Sequence, residues 1–222
     1  MSNNPTSRLT TRRRVPVIAF LLAALLVVLT ACGGSPAGQD DSALPATRDN
    51  SHVLDSVGPE APTLVEFLDF ECEACGALHP VVQDLRKTYQ GKINYVVRYF
   101  PLSGHANAVP AALAVEAAAQ QGRIEEMTNL LFETQAEWGE QQESKAPLFR
   151  TYAERIGLDM ARYDAAVADP ATMQRIEQDF DDGVEIGVKS TPTFVLDGKV
   201  LTLRKLSDLT EPIDQAVAAG AK

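Results

Sequence analysis

Two cysteines, Cys72 and Cys75, stand three positions apart in Glu71-Cys72-Glu73-Ala74-Cys75-Gly76. In the first turn of a helix, positions i and i+3 share one face, close enough for two sulfurs to be joined and parted with little backbone movement. The unpaired N–H groups at a helix start stabilise a thiolate and lower its pKa below the free value of about 8.5. Cys72 is therefore the expected exposed nucleophile. Cys75, one turn in, is the expected buried resolving thiol. The implied chemistry is thiol–disulfide exchange through a mixed disulfide. Half a zinc site is an alternative, but a tetrahedral site needs two more ligands. His79 is the one nearby candidate, while His52 and His105 are distant in sequence. A c-type haem requires His directly after the second cysteine, where Gly76 stands. An inert Cys72–Cys75 disulfide would close too short a loop to stabilise much. No metal or other cofactor is expected.

The flanking residues must set this pair at a strand-to-helix junction. Thr63–Leu68 (TLVEFL) reads as a buried strand, followed by the two cysteines and a helix to about Tyr89. Ile93–Tyr99 (INYVVRY) is a second strand. Strand, helix, strand over this span is a βαβ unit, so the two strands should be parallel. Ser51–Asp55 is a candidate edge strand. The middle of the chain reads as helices over Asn107–Gln120, Ile124–Gln135, Lys145–Ile156 and Met160–Val167. A further helix is capped by Asp169 with Pro170 in its first turn, runs to about Ile186 and stops at Gly187. Thr193–Leu196, Asp197-Gly198 and Lys199–Leu203 form a hairpin with an Asp-Gly turn. Ser207–Ala219 is a closing helix. The order is βαβ, a helical block, then ββα: an α/β fold with an insertion at about 105–187, which resembles a thioredoxin-like fold.

This order resembles the DsbA-like branch of the thioredoxin superfamily over residues 51–219. The stretch Gly187-Val188-Lys189-Ser190-Thr191-Pro192-Thr193-Phe194 matches the superfamily motif. The resemblance implies a cis-proline at Pro192 facing the active-site disulfide, with Thr191 pairing its backbone with substrate like an added strand. It also implies a role for Glu66, six residues before Cys72. Relatives carry an acid there, beneath the cysteines, and a strand between helical layers has no wet face. Burial should raise the Glu66 pKa and fit it to exchange a proton with Cys75. Pro80 resembles the proline that kinks the active-site helix in relatives. His105 reads as a surface loop residue and Trp138 as a core or groove aromatic. Strong oxidants of the branch carry Pro-His between the cysteines. Here Glu73-Ala74 stands there, and Glu71 and Glu73 should make Cys72 less acidic than in those proteins.

Residues 1–31 hold four arginines and no acid. The rest of the 222-residue chain sets 16 basic against 30 acidic residues, a net of −14. An acidic body is a poor partner for nucleic acid. Arg12-Arg13-Arg14 followed by an apolar run of about 15 residues, Val15 to Leu29, reads as an export signal, short for a membrane span. Leu29-Thr30-Ala31-Cys32 resembles a bacterial lipoprotein signal box, which implies cleavage before Cys32 and its diacylation. The expected organisation is a signal peptide (1–31), a flexible tether rich in Gly, Ser, Pro and Asp (32–50) and the domain (51–222). Three cysteines, one of them acylated, leave Cys72 and Cys75 as the free pair in an oxidising compartment.

Two functions follow. The first is an enzyme, lipid-anchored on the extracytoplasmic face of a bacterial membrane, that forms disulfides in exported, cysteine-containing proteins. The resemblance implies a membrane partner, a quinone-linked oxidase, that reoxidises it. A disulfide reductase or isomerase is the variant of this reading. The second is a non-enzymatic, chaperone-like binding lipoprotein.

Overall fold

A computed structural model describes residues 46–220; the signal peptide, Cys32 and most of the tether lie outside the described residues. The strands are β1 (His52–Asp55), β2 (Thr63–Leu68), β3 (Asn94–Tyr99), β4 (Thr193–Leu196) and β5 (Lys199–Val200). They form one sheet in the order β1-β3-β2-β4-β5. β2 and β3 are parallel, as the βαβ reading requires, and the other pairs are antiparallel. Helix α1 (Glu73–Thr88) makes the crossover. The helical block is α2 (Ala108–Ala119), α3 (Ile124–Glu133), α4 (Gln135–Trp138), α5 (Ala146–Arg155), α6 (Met160–Ala168) and α7 (Pro170–Glu185), and α8 (Ser207–Gly220) closes the fold.

The sheet is covered on both faces, which is why β2 and β3 read as nearly continuous apolar runs. On one face Leu64, Leu68, Tyr95, Val97, Phe194 and Leu196 pack with Cys75, Val82 and Leu85 of α1 and with Leu209 and Ile213 of α8. On the other, Val65, Phe67, Val96 and Val195 pack with Phe100 and Val188, and Phe180 of α7 joins them. A Cβ on Gly183 of α7 would stand 2.8 Å from the Phe100 ring, so only glycine lets this helix lie so close to the sheet. Asp169 caps α7 through the Ala171 N–H at 2.8 Å. In the β4–β5 turn Asp197 and Gly198 both have positive φ (47° and 79°), the geometry for which Asp-Gly is selected. The hairpin is shorter than expected. One further ladder bond follows β5, from Leu201 N–H to the Phe194 carbonyl, before the chain leaves for α8. Helix α3 also ends earlier than expected, at Glu133. The Thr134 hydroxyl bonds back to the Leu130 carbonyl, and Gln135 opens the separate turn α4.

The tether differs from expectation in its last five residues. Ala46 is buried, and its carbonyl accepts from Arg98 at 3.1 Å. Arg48 pairs with Asp182, and the Asn50 carbonyl accepts from Arg175 at 3.0 Å. The anchor is Arg98, wholly buried on β3 and bonded to Asp179 and Asp182 of α7, each at 2.6 Å. Composition alone reads 46–50 as a free segment because its partners lie more than 50 residues away.

Candidate active site

Strand β2 ends at Leu68, and the chain crosses Asp69-Phe70-Glu71 before Cys72, which occupies the N-cap position of α1. Both cysteines are free here, the reduced form of the pair. Cys72 is only 8% exposed and Cys75 1%, so the nucleophile is less open than expected. The segment before β4 explains this. The Thr191–Pro192 peptide is cis, and the Thr191 carbonyl oxygen lies 3.4 Å from the Cys72 sulfur. Two stretches some 120 residues apart thus meet at one sulfur, as the motif reading of Thr191 and Pro192 implied.

The two sulfurs are electrostatically unlike. The Cys72 thiol is lowered from 9.0 to about 5. The hydrogen bond from the Cys75 thiol does most of this, burial opposes it, and the Thr191 side chain and the Cys75 and Ala74 N–H groups add to it. Cys75 is pushed well above its ordinary value by burial, by Cys72 and by the charge of Glu66. At neutral pH the pair is one thiolate and one thiol. Glu71 and Glu73 do not act on Cys72 as their charges and positions in the sequence suggest. A value of about 5 still lies above the roughly 3.5 of the strongest oxidants and below the roughly 7 of thioredoxin. The two glutamates, however, are not among the main influences on Cys72. Glu71 turns inward, 1% exposed, and accepts from the N–H groups of Asn107 (2.6 Å) and Glu140 (2.9 Å); Glu73 points to solvent.

Glu66 is buried at 4% exposure, on the sheet face that carries Cys75. Burial raises it from 4.5 to about 7, against the hydrogen bond from the Tyr95 hydroxyl and the charge of Arg86. A carboxyl poised near neutrality and coupled to a buried thiol is suited to proton exchange with it.

Three residues of this site carry no motif. Asp69, fully buried, accepts from the N–H groups of Glu71 (2.8 Å) and Leu102 (2.9 Å) and bonds His105 Nδ1 at 2.6 Å. His105 is therefore no free loop residue. Burial opposes its charging, but Asp69, Glu71 and Cys72 together raise its pKa above 6.5. Gln135 of α4 donates to the carbonyls of Phe70 (2.7 Å) and Cys72 (2.9 Å), pinning the helical block to the active-site turn. Gly76 leaves room for it, since a Cβ there would stand 2.2 Å from Gln135 Oε1. His79 bonds Asn129 at 2.8 Å and packs on Phe132 rather than turning to the sulfurs. Trp138 is wholly buried, edge-on to Phe149, a core residue.

The chain matches the thioredoxin family over residues 58–215. It is 40% identical over 188 residues to a Na(+)/H(+) antiporter NhaA of Salinispora tropica, a match that covers 82% of this chain and 27% of that protein. The chain thus spans about a quarter of the length of the curated relatives it matches. Among solved structures, alpha-DsbA1 of Wolbachia pipientis superposes with a TM-score of 0.66 at 20% identity, over 79% of this chain and 94% of that one. A thioredoxin-like oxidoreductase from Silicibacter pomeroyi gives a TM-score of 0.64 at 26% identity, over 77% and 94%.

Proposed function

The chain belongs to the thioredoxin family and shares the fold of DsbA proteins; from that premise we propose that it is a thiol–disulfide oxidoreductase that works as an oxidase, forming disulfide bonds in exported proteins. The observation that carries this is the asymmetric pair: Cys72 held as a thiolate at about 5, over a Cys75 held as a thiol. Whatever stabilises the Cys72 thiolate stabilises the reduced protein, and a protein stable when reduced is a strong oxidant when oxidised.

In the forward reaction a substrate thiolate attacks Cys72 Sγ of the oxidised protein. The Cys72–Cys75 bond breaks and a mixed disulfide forms. Cys75 leaves with the electron pair and takes a proton from Glu66. A second substrate thiolate then attacks the substrate sulfur of the mixed disulfide, and Cys72 departs as a thiolate. The substrate loses two electrons and the Cys72–Cys75 disulfide gains them. The Thr191 backbone at the sulfur supports β-type pairing with the substrate chain. Return to the oxidised form needs an electron acceptor, for which a quinone-linked membrane oxidase is the proposed partner. Diacylation of Cys32 would hold the enzyme on the extracytoplasmic face and raise its effective concentration at that partner. Ion antiport is not carried over from the longer relatives, and no described helix is long and apolar enough to cross a membrane.

The test mixes the oxidised chain with a reduced, unfolded protein and counts disulfides formed. Wild type transfers one per turnover and Cys72→Ala none, while Cys75→Ala, with Cys72 first activated as a mixed disulfide, passes its partner on but cannot regenerate. Wild type that leaves substrate thiols untouched yet reduces a substrate disulfide would reverse the assigned direction. Labelled palmitate that enters wild type but not Cys32→Ala checks the anchor.

A further inference from the structure

We propose that Tyr95 and Arg86 are positioning residues that set the proton affinity of Glu66 and so fix the pH range in which Cys75 leaves as a thiol. This rests on the thiol–disulfide exchange reading above.

The arrangement begins with strand register. In the parallel β2–β3 pair Leu64 faces Tyr95 and Glu66 faces Val97, so Tyr95 and Glu66 project to the same side of the sheet. Tyr95 is 2% exposed, and its hydroxyl donates to Glu66 Oε2, the one hydrogen bond that hydroxyl makes among the described residues. A phenylalanine would fill the same space, so packing does not require the oxygen. Tyr95 itself is held far above its ordinary pKa, by burial first and then by Glu66, and remains a donor across the working pH range. Arg86 of α1 completes the arrangement, its guanidinium 5.0 Å from the Tyr95 ring centroid. It is held there by Asp55 of β1 at 2.6 and 3.0 Å and by Glu125 of α3 at 2.7 Å.

Several elements bring charged and polar groups toward Glu66. From α1 come Cys75 and Arg86, and from β3 Tyr95. Asp55 and Glu125 stand behind Arg86. β4 presents the apolar Phe194, the register partner of Glu66, and the apolar Leu209 and Ile213 of α8 belong to the core on the same face of the sheet. The hydroxyl and the guanidinium are thus the two groups that favour the carboxylate against burial. When Cys75 is expelled from the disulfide, the Glu66 carboxyl proton passes to its sulfur. The new carboxylate is received by the Tyr95 O–H, a bond stronger to a charged acceptor than to a neutral one.

The experiment titrates the Glu66 side-chain carboxyl by carbon NMR in the oxidised, 13C-glutamate-labelled full chain, with Glu66→Gln identifying the signal. Alongside it, the rate at which a small monothiol opens the disulfide is measured against pH, corrected for the fraction of thiolate. Tyr95→Phe should raise the NMR midpoint by about one pH unit, a tenfold higher proton affinity, and carry the kinetic inflection with it. Arg86→Gln, which leaves the hydroxyl in place, should raise both by a smaller step. An unmoved NMR midpoint in Tyr95→Phe overturns the proposal, as does one in Arg86→Gln should the first variant not fold. A midpoint that moves while the kinetic inflection stays overturns the link to Cys75. Failure of the exchange reading looks different: the monothiol would then open the disulfide without any mixed disulfide at Cys72, whatever Glu66 does.

Discussion

Replacing Glu66 by glutamine should make the oxidised protein more stable and a poorer catalyst at once. The carboxyl is buried, and its pKa rises from 4.5 to about 7 on folding. A carboxyl with a raised folded-state pKa contributes its full stability below the unfolded value and loses it as pH climbs through the folded one. Between pH 4.5 and 7, ionisation of Glu66 should therefore cost the folded state about 3 kcal/mol, at 1.36 kcal/mol per pH unit. Glutamine has nearly the same shape, never ionises, and offers Tyr95 a carbonyl oxygen to donate to. Urea unfolding of oxidised wild type and Glu66→Gln, followed from about pH 4.5 to 8, isolates this effect because Cys75 does not titrate in the disulfide. The two curves should meet near pH 4.5 and diverge as pH rises, the variant leading at pH 8 by roughly 1–2 M in midpoint for a slope of about 2 kcal/mol/M. Curves that stay parallel over the whole range would mean that Glu66 is not held near neutrality by burial, and would refute its assignment as the proton group of Cys75.

Gln135→Ala should cost about 1–3 kcal/mol, because the Phe70 and Cys72 carbonyls each lose a donor; Gly76→Ala should cost less in the Gln135→Ala background than in wild type, and equal costs in thermal unfolding would show that the two do not meet. Arg98→Met should destabilise by about 3–5 kcal/mol, since it leaves Asp179 and Asp182 buried around a lost cation; denaturant unfolding within about 1 kcal/mol of wild type would contradict that role. Native, reduced protein should be alkylated at Cys72 alone, with a rate midpoint near pH 5, and mass mapping that finds Cys75 modified first would reverse the assignment of nucleophile and resolving thiol. His105→Gln should move that midpoint upward, because a charge that Cys72 helps hold on His105 must in return help hold the thiolate; an unchanged midpoint would leave the Asp69–His105 pair a purely structural one.

What could be read from the sequence was local. TLVEFL and INYVVRY announce buried parallel strands by their apolar runs, and Asp197-Gly198 announces its turn because only certain residues tolerate two successive positive φ angles. Asp169-Pro170 marks a helix start for an equally local reason. Cys72, Cys75, Thr191 and Pro192 were legible as motifs, and burial of Glu66 followed from strand alternation once the sheet was taken to be covered on both faces. Tyr95 was not legible, because its meeting with Glu66 depends on the β2–β3 register. The burial of Cys72 escapes the sequence for a related reason: the segment that covers it is some 120 residues away. The bonds of Asp69 to His105, Glu71 to Asn107, and Gln135 to Cys72 join the active-site turn to residues 36 to 63 positions away. No periodicity records them. Glu71 shows the consequence most plainly, since a carboxylate beside the nucleophile reads as repulsion until the structure turns it toward two backbone N–H groups.

The proposed direction of electron flow depends on the Cys72 thiolate stabilising the reduced pair. The most direct test is the reduction potential of the Cys72–Cys75 couple in the full chain, equilibrated against glutathione across a range of ratios. For an oxidase the potential should lie well above that of thioredoxin, about −270 mV, and toward the strong oxidants near about −120 mV. A value at or below that of thioredoxin would contradict that direction and make the chain a reductase.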